Sequence, residues 1–342
     1  MAKRSERLKA AAASEPHAAH GEESRFAVLA AMAANFAIAI GKLVAGLMTG
    51  SAALLAESGH SMADTVNQVF LLVGMNLSNA APDEKHPHGY GKETFFWAFL
   101  AAIFIFVAGA AFSFFEGIRT AIEGGSHDRS SLQLAAGFGV LLMALFFEST
   151  SFFVAVRGVR AGAKRLGWGL RRYVVEAPDV TIKTVFFEDS AAIIGLGFAI
   201  AGLGLSELTG SEYWDAAASI CIGTVLAGVS VMLGMQSRNL LLGAAASPET
   251  RAALHSLVDS FPEVMGVKRM LSMQVGPRSV LVTGELHVRP GLTTGEIEDL
   301  IARIDAQIGV EIPEVRETFW ELHGTEGKLQ AAADAQEEDD ST

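Results

Sequence analysis

Six long apolar runs constrain this chain more than any other feature of its sequence. A helix needs roughly 20 mostly apolar residues to cross a bilayer, and each run is long enough. The predicted spans one to six are about Phe26–Met48, Ala52–Leu77, Thr94–Ile118, Leu132–Val156, Thr181–Leu205 and Tyr213–Met235. Hydrocarbon offers no water to bond the backbone, so such runs form helices. The sequence therefore predicts a polytopic α-helical membrane protein with six transmembrane helices.

The chain after the sixth run has the composition of a water-exposed domain. Residues 243–342 hold 18 acidic and 8 basic residues, which is most of the net charge of −12. Ser247-Pro248 is a typical helix start, and Thr293 with Glu296 forms a capping box. Strands are predicted near Val264–Val275, Val280–Arg289 and Val315–Leu322. This order of elements predicts a C-terminal cytoplasmic α+β domain of the ferredoxin-like type.

Four segments follow from this division. They are a disordered cytoplasmic N-terminal tail (1–25), a six-helix transmembrane domain (26–236), the ferredoxin-like domain (237–325) and an acidic disordered tail (326–342). The first segment lacks the apolar core of a signal peptide, and its acidic residues disfavour a transit peptide. Lys and Arg concentrate in the N-terminal tail and in the loops after spans two and four, which predicts cytoplasmic termini. The expected location is a bacterial inner (plasma) membrane.

Composition also excludes several functions. The acidic C-terminal part, residues 243–342, disfavours nucleic acid as a partner, because phosphate backbones bind basic surfaces. Cys221 is the single cysteine, so no thiolate cluster for copper(I) can form within the chain. No prosthetic group is predicted. The expected partners are divalent metal ions, protons, the lipid bilayer and a second copy of the chain.

Predicted span two carries a polar stripe. Its members fall on one helical face and are Glu57, His60, Asp64, Asn67 and Gln68. Ionisable groups inside a bilayer are costly and mark functional sites by default. A stripe on one face must therefore meet a partner helix or a water-filled path.

Predicted span five supplies a matching stripe. Thr181, Thr184 and Glu188 share one face, and Asp189 lies about 100° further round the helix. Together the two spans place His60, Asp64, Glu188 and Asp189 at similar depth. Three carboxylates would repel one another when ionised, and a bound cation or protons would relieve that repulsion.

Other intramembrane charges are predicted to be structural. Lys42 in span one is a candidate partner for Glu57 or for Glu148 in span four. Three acidic residues near span ends, Glu116, Glu207 and Asp215, are expected to be solvated.

Two stretches resemble the cation diffusion facilitator family. One runs from Lys42 to Gly46 and from Gly50 to Asp64, and it includes the His60-Ser61-Met62-Ala63-Asp64 element. The other is the loop from Pro82 to Glu93, with His86-Pro87-His88-Gly89-Tyr90-Gly91-Lys92. The resemblance covers about Phe26 to His323, and it implies a homodimeric metal/proton antiporter, most often for zinc.

The resemblance also implies a transport site. His60 and Asp64 match the family's pair on span two, and Asp189 matches the aspartate on span five. Val185 stands where the family usually has a histidine, and Glu188 is the candidate replacement for that ligand. The resulting Glu188–Asp189 pair resembles one divergent branch of the family. This oxygen-rich donor set leaves Mn²⁺, Fe²⁺ and Co²⁺ as alternatives to Zn²⁺.

Two further metal sites are suggested by the same resemblance. Asp83 and His86 match a loop site in which Tyr90 stands at a common histidine position, with His88 as a candidate substitute. Glu285 and His287 share a strand face in the C-terminal domain. They resemble, together with His255 and His323, the regulatory metal positions of relatives.

The predicted function is export of a divalent metal in exchange for protons, and the chain is not expected to be an enzyme. An intramembrane hydrolase would need its serine and histidine on separate elements, whereas Ser58, His60 and Ser61 are neighbours on one helix. A membrane metal sensor that does not transport remains an alternative, although it does not account for the polar stripes.

Overall fold

The structure is a computed structural model that describes residues 17–124, 129–165, 167–176, 180–277 and 279–323. Residues 17–31, 165, 175–176, 180–184 and 323 are described for their backbone alone. The predicted acidic tail, 326–342, lies outside the described residues.

Most of the described chain is helical. The helices are α1 (His17–Thr49), α2 (Ala52–Ser78), α3 (Glu93–Phe104), α4 (Phe112–Glu123), α5 (Ser131–Arg165), α6 (Leu170–Glu176), α7 (Val180–Thr209), α8 (Tyr213–Leu241), α9 (Pro248–Asp259) and α10 (Thr294–Glu311). A π-helical segment, Ile105–Ala111, joins α3 to α4 without a break. Each predicted span coincides with one helix or with this joined unit, so the polytopic helical architecture is confirmed.

Within the described part of the chain, five helical stretches are long and apolar enough to cross a membrane. They are Met32–Thr49, Glu93–Glu123, Ser131–Lys164, Val185–Thr209 and Tyr213–Leu241. Helix α2 begins at Ala52, as predicted, and has 27 residues. It is not among the five because its polar stripe lowers its mean hydropathy; the same stripe is the basis of the predicted metal site.

Two parts of the prediction need correction. Residues 17–25, predicted to belong to a disordered tail, are helical and form the start of α1; they are rich in Ala and Glu, which favour helices. The short helix α6 was not predicted from the sequence. It has only seven residues, too few to show a helical period.

Helices α1 and α2 are joined by a tight turn. Gly50 has a φ of 66°, in the region where glycine costs least. The turn makes the two helices neighbours, and Lys42 lies on the α1 face that contacts α2. Three residues of α2, Ala53, Leu54 and Ala56, pack in one apolar core with residues of three other helices. The partners include Leu141 of α5, Leu196 of α7 and Ile222 of α8.

The C-terminal elements form an α+β unit with one three-stranded sheet. Its strands are β1 (Val264–Gly276), β2 (Ser279–Val288) and β3 (Val315–His323), in the order β1-β2-β3. β1 and β2 are antiparallel, whereas β2 and β3 are parallel and connected through α10. Helices α9 and α10 cover one sheet face with Leu254, Val258, Leu300 and Ile304. The predicted small α+β domain is confirmed, and its predicted elements begin and end within two residues of the observed ones.

The chain divides into two compact units. One comprises Met1–Val69, Ala101–Ala161 and Thr181–Met232, and the other comprises Phe70–Leu100, Gly162–Val180 and Leu233–Thr342. Because the division cuts through helices, it does not test the predicted domain boundary between residues 236 and 237. That boundary stays a prediction.

Candidate metal transport site

The polar stripe of α2 is buried in the first unit. Glu57, His60 and Asn67 have at most 3% of their surface exposed, and Asp64 is mostly buried. His60 Nε2 lies 3.5 Å from Asp64 Oδ2 without forming a hydrogen bond. Both ring nitrogens of His60, together with Asp64 Oδ1, lack a hydrogen-bond partner among the described residues. Buried polar groups are normally paired, so this pair has free coordinating capacity.

Helix α7 directs Glu188 toward α2. Asn67 Nδ2 donates a hydrogen bond to Glu188 Oε1 at 2.6 Å. Further along the same face of α7, Ala191 and Ala192 are buried. The side chain of Thr184, a predicted supporting residue, is not described.

Asp189 faces a different helix. Ser151 Oγ on α5 donates to Asp189 Oδ2 at 2.8 Å. Consecutive residues on a helix point about 100° apart, which is why α7 presents Glu188 to α2 and Asp189 to α5. Val185, at the position of the family's histidine, is 36% exposed.

The four predicted ligands therefore do not form one coordination shell. Among the described residues, no three His, Cys, Asp or Glu side chains are placed to hold a metal ion together. Glu188, Glu148 and Asp189 nevertheless act electrostatically on Asp64. The arrangement is an imidazole beside Asp64, without a hydrogen-bond partner in the described ranges, and further carboxylates that do not join it in one metal site.

Lys42 pairs with Glu57 rather than with Glu148. Its Nζ lies 2.9 Å from Glu57 Oε2 and 2.8 Å from Ser61 Oγ. The remaining polar residue of the stripe, Gln68, has a buried Oε1 without a hydrogen-bond partner in the described part of the chain.

Asp215 was wrongly predicted to be solvated. It is fully buried, accepts a hydrogen bond from Ser51 Oγ at 2.7 Å, and also accepts one from the backbone N–H of Ala52. The carboxylate of α8 thus caps the first turn of α2. A short sequence pattern reveals no such cap, because donor and acceptor lie 163 residues apart.

The other two acidic residues near span ends differ from one another. Glu116 has 5% of its surface exposed, so its predicted solvation is also wrong, and it contacts Arg119 Nη1 at 3.3 Å. Glu207 is exposed, as predicted.

Arg129 was not predicted to have a role in the bundle. It pairs with Glu212 at 2.8 Å and donates to the carbonyl oxygen of Thr49 at 2.6 Å.

The predicted loop site is brought together in part. His86 Nδ1 lies 3.4 Å from Asp83 Oδ1, and the Tyr90 hydroxyl donates to Asp83 Oδ2 at 2.7 Å. The hydrogen bond from Tyr90 lowers the pKa of Asp83 below its usual range, and the bond to Asp83 raises the pKa of Tyr90. His88 points elsewhere, with its Nδ1 2.6 Å from Glu317 Oε2 on β3.

The C-terminal candidates are also only partly assembled. His287 pairs in register with His323 across the parallel strands, and Glu285 pairs with Glu321. His287 Nε2 is buried without a hydrogen-bond partner in the described ranges. His255 is exposed on α9, whose buried side packs on the opposite face of the sheet, so it does not join the others. The side chain of His323 is not described.

Comparison with known proteins identifies the family. The family model described as the cation efflux transmembrane domain matches residues 28–242, well over half of the chain. The chain belongs to the cation efflux family. This assignment confirms the resemblance carried by the His60–Asp64 element and by the Pro82–Glu93 loop.

Curated members of the cation efflux family show the range of its cargo. The chain is 29% identical over 286 residues to the human protein "Proton-coupled zinc antiporter SLC30A9, mitochondrial", covering 83% of this chain and 50% of the relative. It is 31% identical to "Metal tolerance protein C4" of Arabidopsis thaliana, with coverages of 78% and 57%. It is 26% identical to "Manganese efflux system protein MneP" of Bacillus subtilis (strain 168), with coverages of 86% and 94%. The chain thus spans about half the length of the zinc antiporter that it matches.

A solved structure also matches. A nickel form of a variant MamM CTD is 17% identical, covers 23% of this chain and 98% of its own, and has a TM-score of 0.22.

Proposed function

We propose that this protein exports a divalent transition-metal ion, Zn²⁺ in the first instance, from the cytoplasm in exchange for protons. The observation that carries the proposal is the buried His60–Asp64 couple of α2, in which both ring nitrogens and Asp64 Oδ1 lack a hydrogen-bond partner among the described residues. Imidazole nitrogen and carboxylate oxygen are both ligands of Zn²⁺. A buried pair with open coordinating atoms, surrounded by further carboxylates, suits a cation that enters and leaves.

The proposed ligand set is His60, Asp64, Glu188 and Asp189. Metal binding uses the second carboxylate oxygen of Glu188 and of Asp189, while Asn67 and Ser151 keep their hydrogen bonds to the first oxygen and so orient both groups. A shift of α7 relative to α2 brings these oxygens to the His60–Asp64 couple. The incoming cation stabilises the ionised forms of Glu148 and Asp64, since it relieves repulsion among the carboxylates.

Proton exchange follows from the same donor set. A ligand must be deprotonated to bind metal, so metal entry from the cytoplasm releases protons. On the far side, protons compete for the carboxylates and for His60 and displace the metal. An inward proton gradient then drives export. The name of the human relative, a proton-coupled zinc antiporter, supports this coupling.

Mn²⁺ is the second candidate cargo. Three of the four proposed ligands are carboxylates, and Val185 leaves the set with one nitrogen donor. Oxygen-rich sites favour Mn²⁺ more than nitrogen- and sulfur-rich sites do, and Fe²⁺ and Co²⁺ also accept mixed oxygen and nitrogen ligands. The relative from Bacillus subtilis is named for manganese efflux.

The remaining assignments belong to the same proposal. The protein lies in a bacterial inner membrane with both termini on the cytoplasmic side. Two chains form a dimer through the C-terminal domain. The loop site of Asp83 and His86 binds metal near the cytoplasmic entrance. The C-terminal site of Glu285, His287 and His323 senses cytoplasmic metal, and His88 and His255 stay outside the two sites.

Metal-dependent proton flux in proteoliposomes tests the proposal. Wild type is compared with Asp64→Asn across Zn²⁺, Mn²⁺, Fe²⁺ and Co²⁺, and Glu207→Gln, which changes an exposed acid at a helix end, is the matched control. We expect flux with one preferred metal in wild type and in the control, and its loss in Asp64→Asn. Unchanged flux in Asp64→Asn overturns the site. A folded wild type that binds metal without flux supports the sensor instead.

A further inference from the structure

The side chain of Lys42 on α1 ends inside the bundle, against α2. Its ammonium donates to Glu57 Oε2 at 2.9 Å and to Ser61 Oγ at 2.8 Å. Lys42 and Glu57 are both 0% exposed. A charge is expensive at such a place, and replacing a buried ion pair with apolar side chains is often neutral for stability. Stability alone therefore gives little reason to keep this pair.

The two acceptors of Lys42 flank the predicted ligands. Glu57 and Ser61 are four residues apart, as are His60 and Asp64, so each couple forms a row along the axis of α2. At 100° per residue, the row of Glu57 and Ser61 lies about 60° around the helix from the row of His60 and Asp64. Lys42 thus attaches α1 to the flank of α2 beside the ligand couple. Asn67 attaches the other flank to Glu188 of α7.

Glu57 also reaches α7. Its Oε1 has no hydrogen-bond partner among the described residues and lies directly over Gly195, where a Cβ would collide with it. Gly195 follows Glu188 by seven residues and so lies on the same face of α7. The Glu57 carboxylate therefore lies between the ammonium of α1 and the backbone of α7.

We propose that Lys42 is a positioning residue for metal transport, which acts through Glu57 and Ser61. By holding one flank of α2, it fixes the rotation of this helix at which His60 and Asp64 face the carboxylates of α7. Lys42 does not touch the metal. This inference rests on the proposed transport function.

The first test uses two serines of α2. Ser61→Ala removes one acceptor of Lys42 and leaves the ion pair intact. Ser58→Ala is the matched control, because Ser58 is equally buried but donates only to the Leu55 carbonyl oxygen of its own helix. Both variants are purified as full chains, and Zn²⁺-driven proton flux, Zn²⁺ affinity in detergent and the Tm are measured.

We expect Ser61→Ala to raise the KM for Zn²⁺ about fivefold, as for the loss of one hydrogen bond, with Vmax and Tm close to those of Ser58→Ala. A structural role predicts a lower Tm and an unchanged KM. A KM within twofold of the control overturns the inference while the wild-type flux upholds the transport function. Absence of wild-type flux overturns both.

The double variant Lys42→Met with Glu57→Gln gives a second, independent test. It removes both charges together, so no unpaired charge is left in the bundle. We expect a Tm near that of wild type, a larger increase in KM than in Ser61→Ala, and weaker Zn²⁺ binding in detergent. Wild-type KM in this variant overturns the inference. Should the double variant fail to fold, the two serine variants decide the question by themselves.

Discussion

Asn67 on α2 donates a 2.6 Å hydrogen bond to Glu188 on α7. This contact decides which of two adjacent carboxylates on α7 faces the His60–Asp64 couple. Asp189, the next residue, is directed to Ser151 of α5 instead. Two adjacent carboxylates of α7 thus contact two different helices, and in the proposed transport site the metal binds both.

Replacing Asn67 tests the first of these contacts. In Asn67→Leu, Glu188 loses its donor and its preferred orientation, and a hydrogen bond to a charged group contributes about 1.5–3 kcal/mol. We expect the KM for the transported metal to rise at least about tenfold. The control is Thr65→Val, because Thr65 bonds only the Ser61 carbonyl oxygen of its own helix. Equal KM values for the two variants contradict a role for the Asn67–Glu188 contact.

Replacing Ser151 tests the second contact. Ser151→Ala removes the hydroxyl that orients Asp189, and we expect a smaller increase in KM, of about threefold to tenfold. Thr150→Ala is the neighbouring control, since the Thr150 hydroxyl bonds the Phe147 carbonyl oxygen of its own helix. The measurement is the initial rate of flux as a function of metal concentration. A KM equal to that of the control argues against Asp189 as a ligand.

Two acidic residues near helix ends should differ in their effect on stability. Asp215→Ala removes the cap of α2 and leaves Ser51 Oγ without an acceptor, at a cost of about 2 kcal/mol or more. Glu207→Ala changes an exposed carboxylate and should cost about 0.5 kcal/mol or less. Thermal unfolding in detergent should show a Tm several degrees lower for the first variant only. Matching Tm values would falsify the capping role.

The start of α10 should respond to pH. Thr293 and Glu296 form a capping box, and bonds from the Thr293 backbone N–H and hydroxyl lower the pKa of Glu296. A lowered pKa in the folded state stabilises at neutral pH, and this contribution is lost as the pH falls through that lowered pKa. The protection of the first-turn amides against hydrogen exchange, measured relative to their intrinsic rate at each pH, should therefore fall in acid. Thr293→Ala should show the faster exchange already at neutral pH; equal exchange in both proteins contradicts the role of the box.

The loop offers a gain of binding. The Tyr90 hydroxyl bonds Asp83, which already lies beside His86. Tyr90→His removes this competing donor and adds a nitrogen ligand, so we expect tighter Zn²⁺ binding at the loop by isothermal titration. Tyr90→Phe removes the donor without adding a ligand and serves as the control. An affinity in Tyr90→His no higher than in Tyr90→Phe excludes the loop as a site.

Local sequence signals predicted the C-terminal unit closely. Ser247 and Thr293 are caps whose partners lie three residues away, and both caps are present in the structure. The alternation along β2 placed Glu285 and His287 on one face, opposite the face that packs against α9 and α10. Such signals depend on a helix or strand period alone, which is why they could be read without the fold.

The sequence by itself determined that the chain forms membrane helices, which face of α2 is polar, and which residues of the two stripes are candidates for a metal. Composition and helical period suffice for these. Only the tertiary structure decided that Lys42 pairs with Glu57, that Asp215 caps α2, and that Glu188 and Asp189 face different helices. Lys42 and Glu57 are 15 positions apart in the chain, Ala52 and Asp215 are 163 apart, and Asn67 and Glu188 are 121 apart. Partners so distant in the chain are fixed by the rotation and packing of whole helices, which no local pattern encodes.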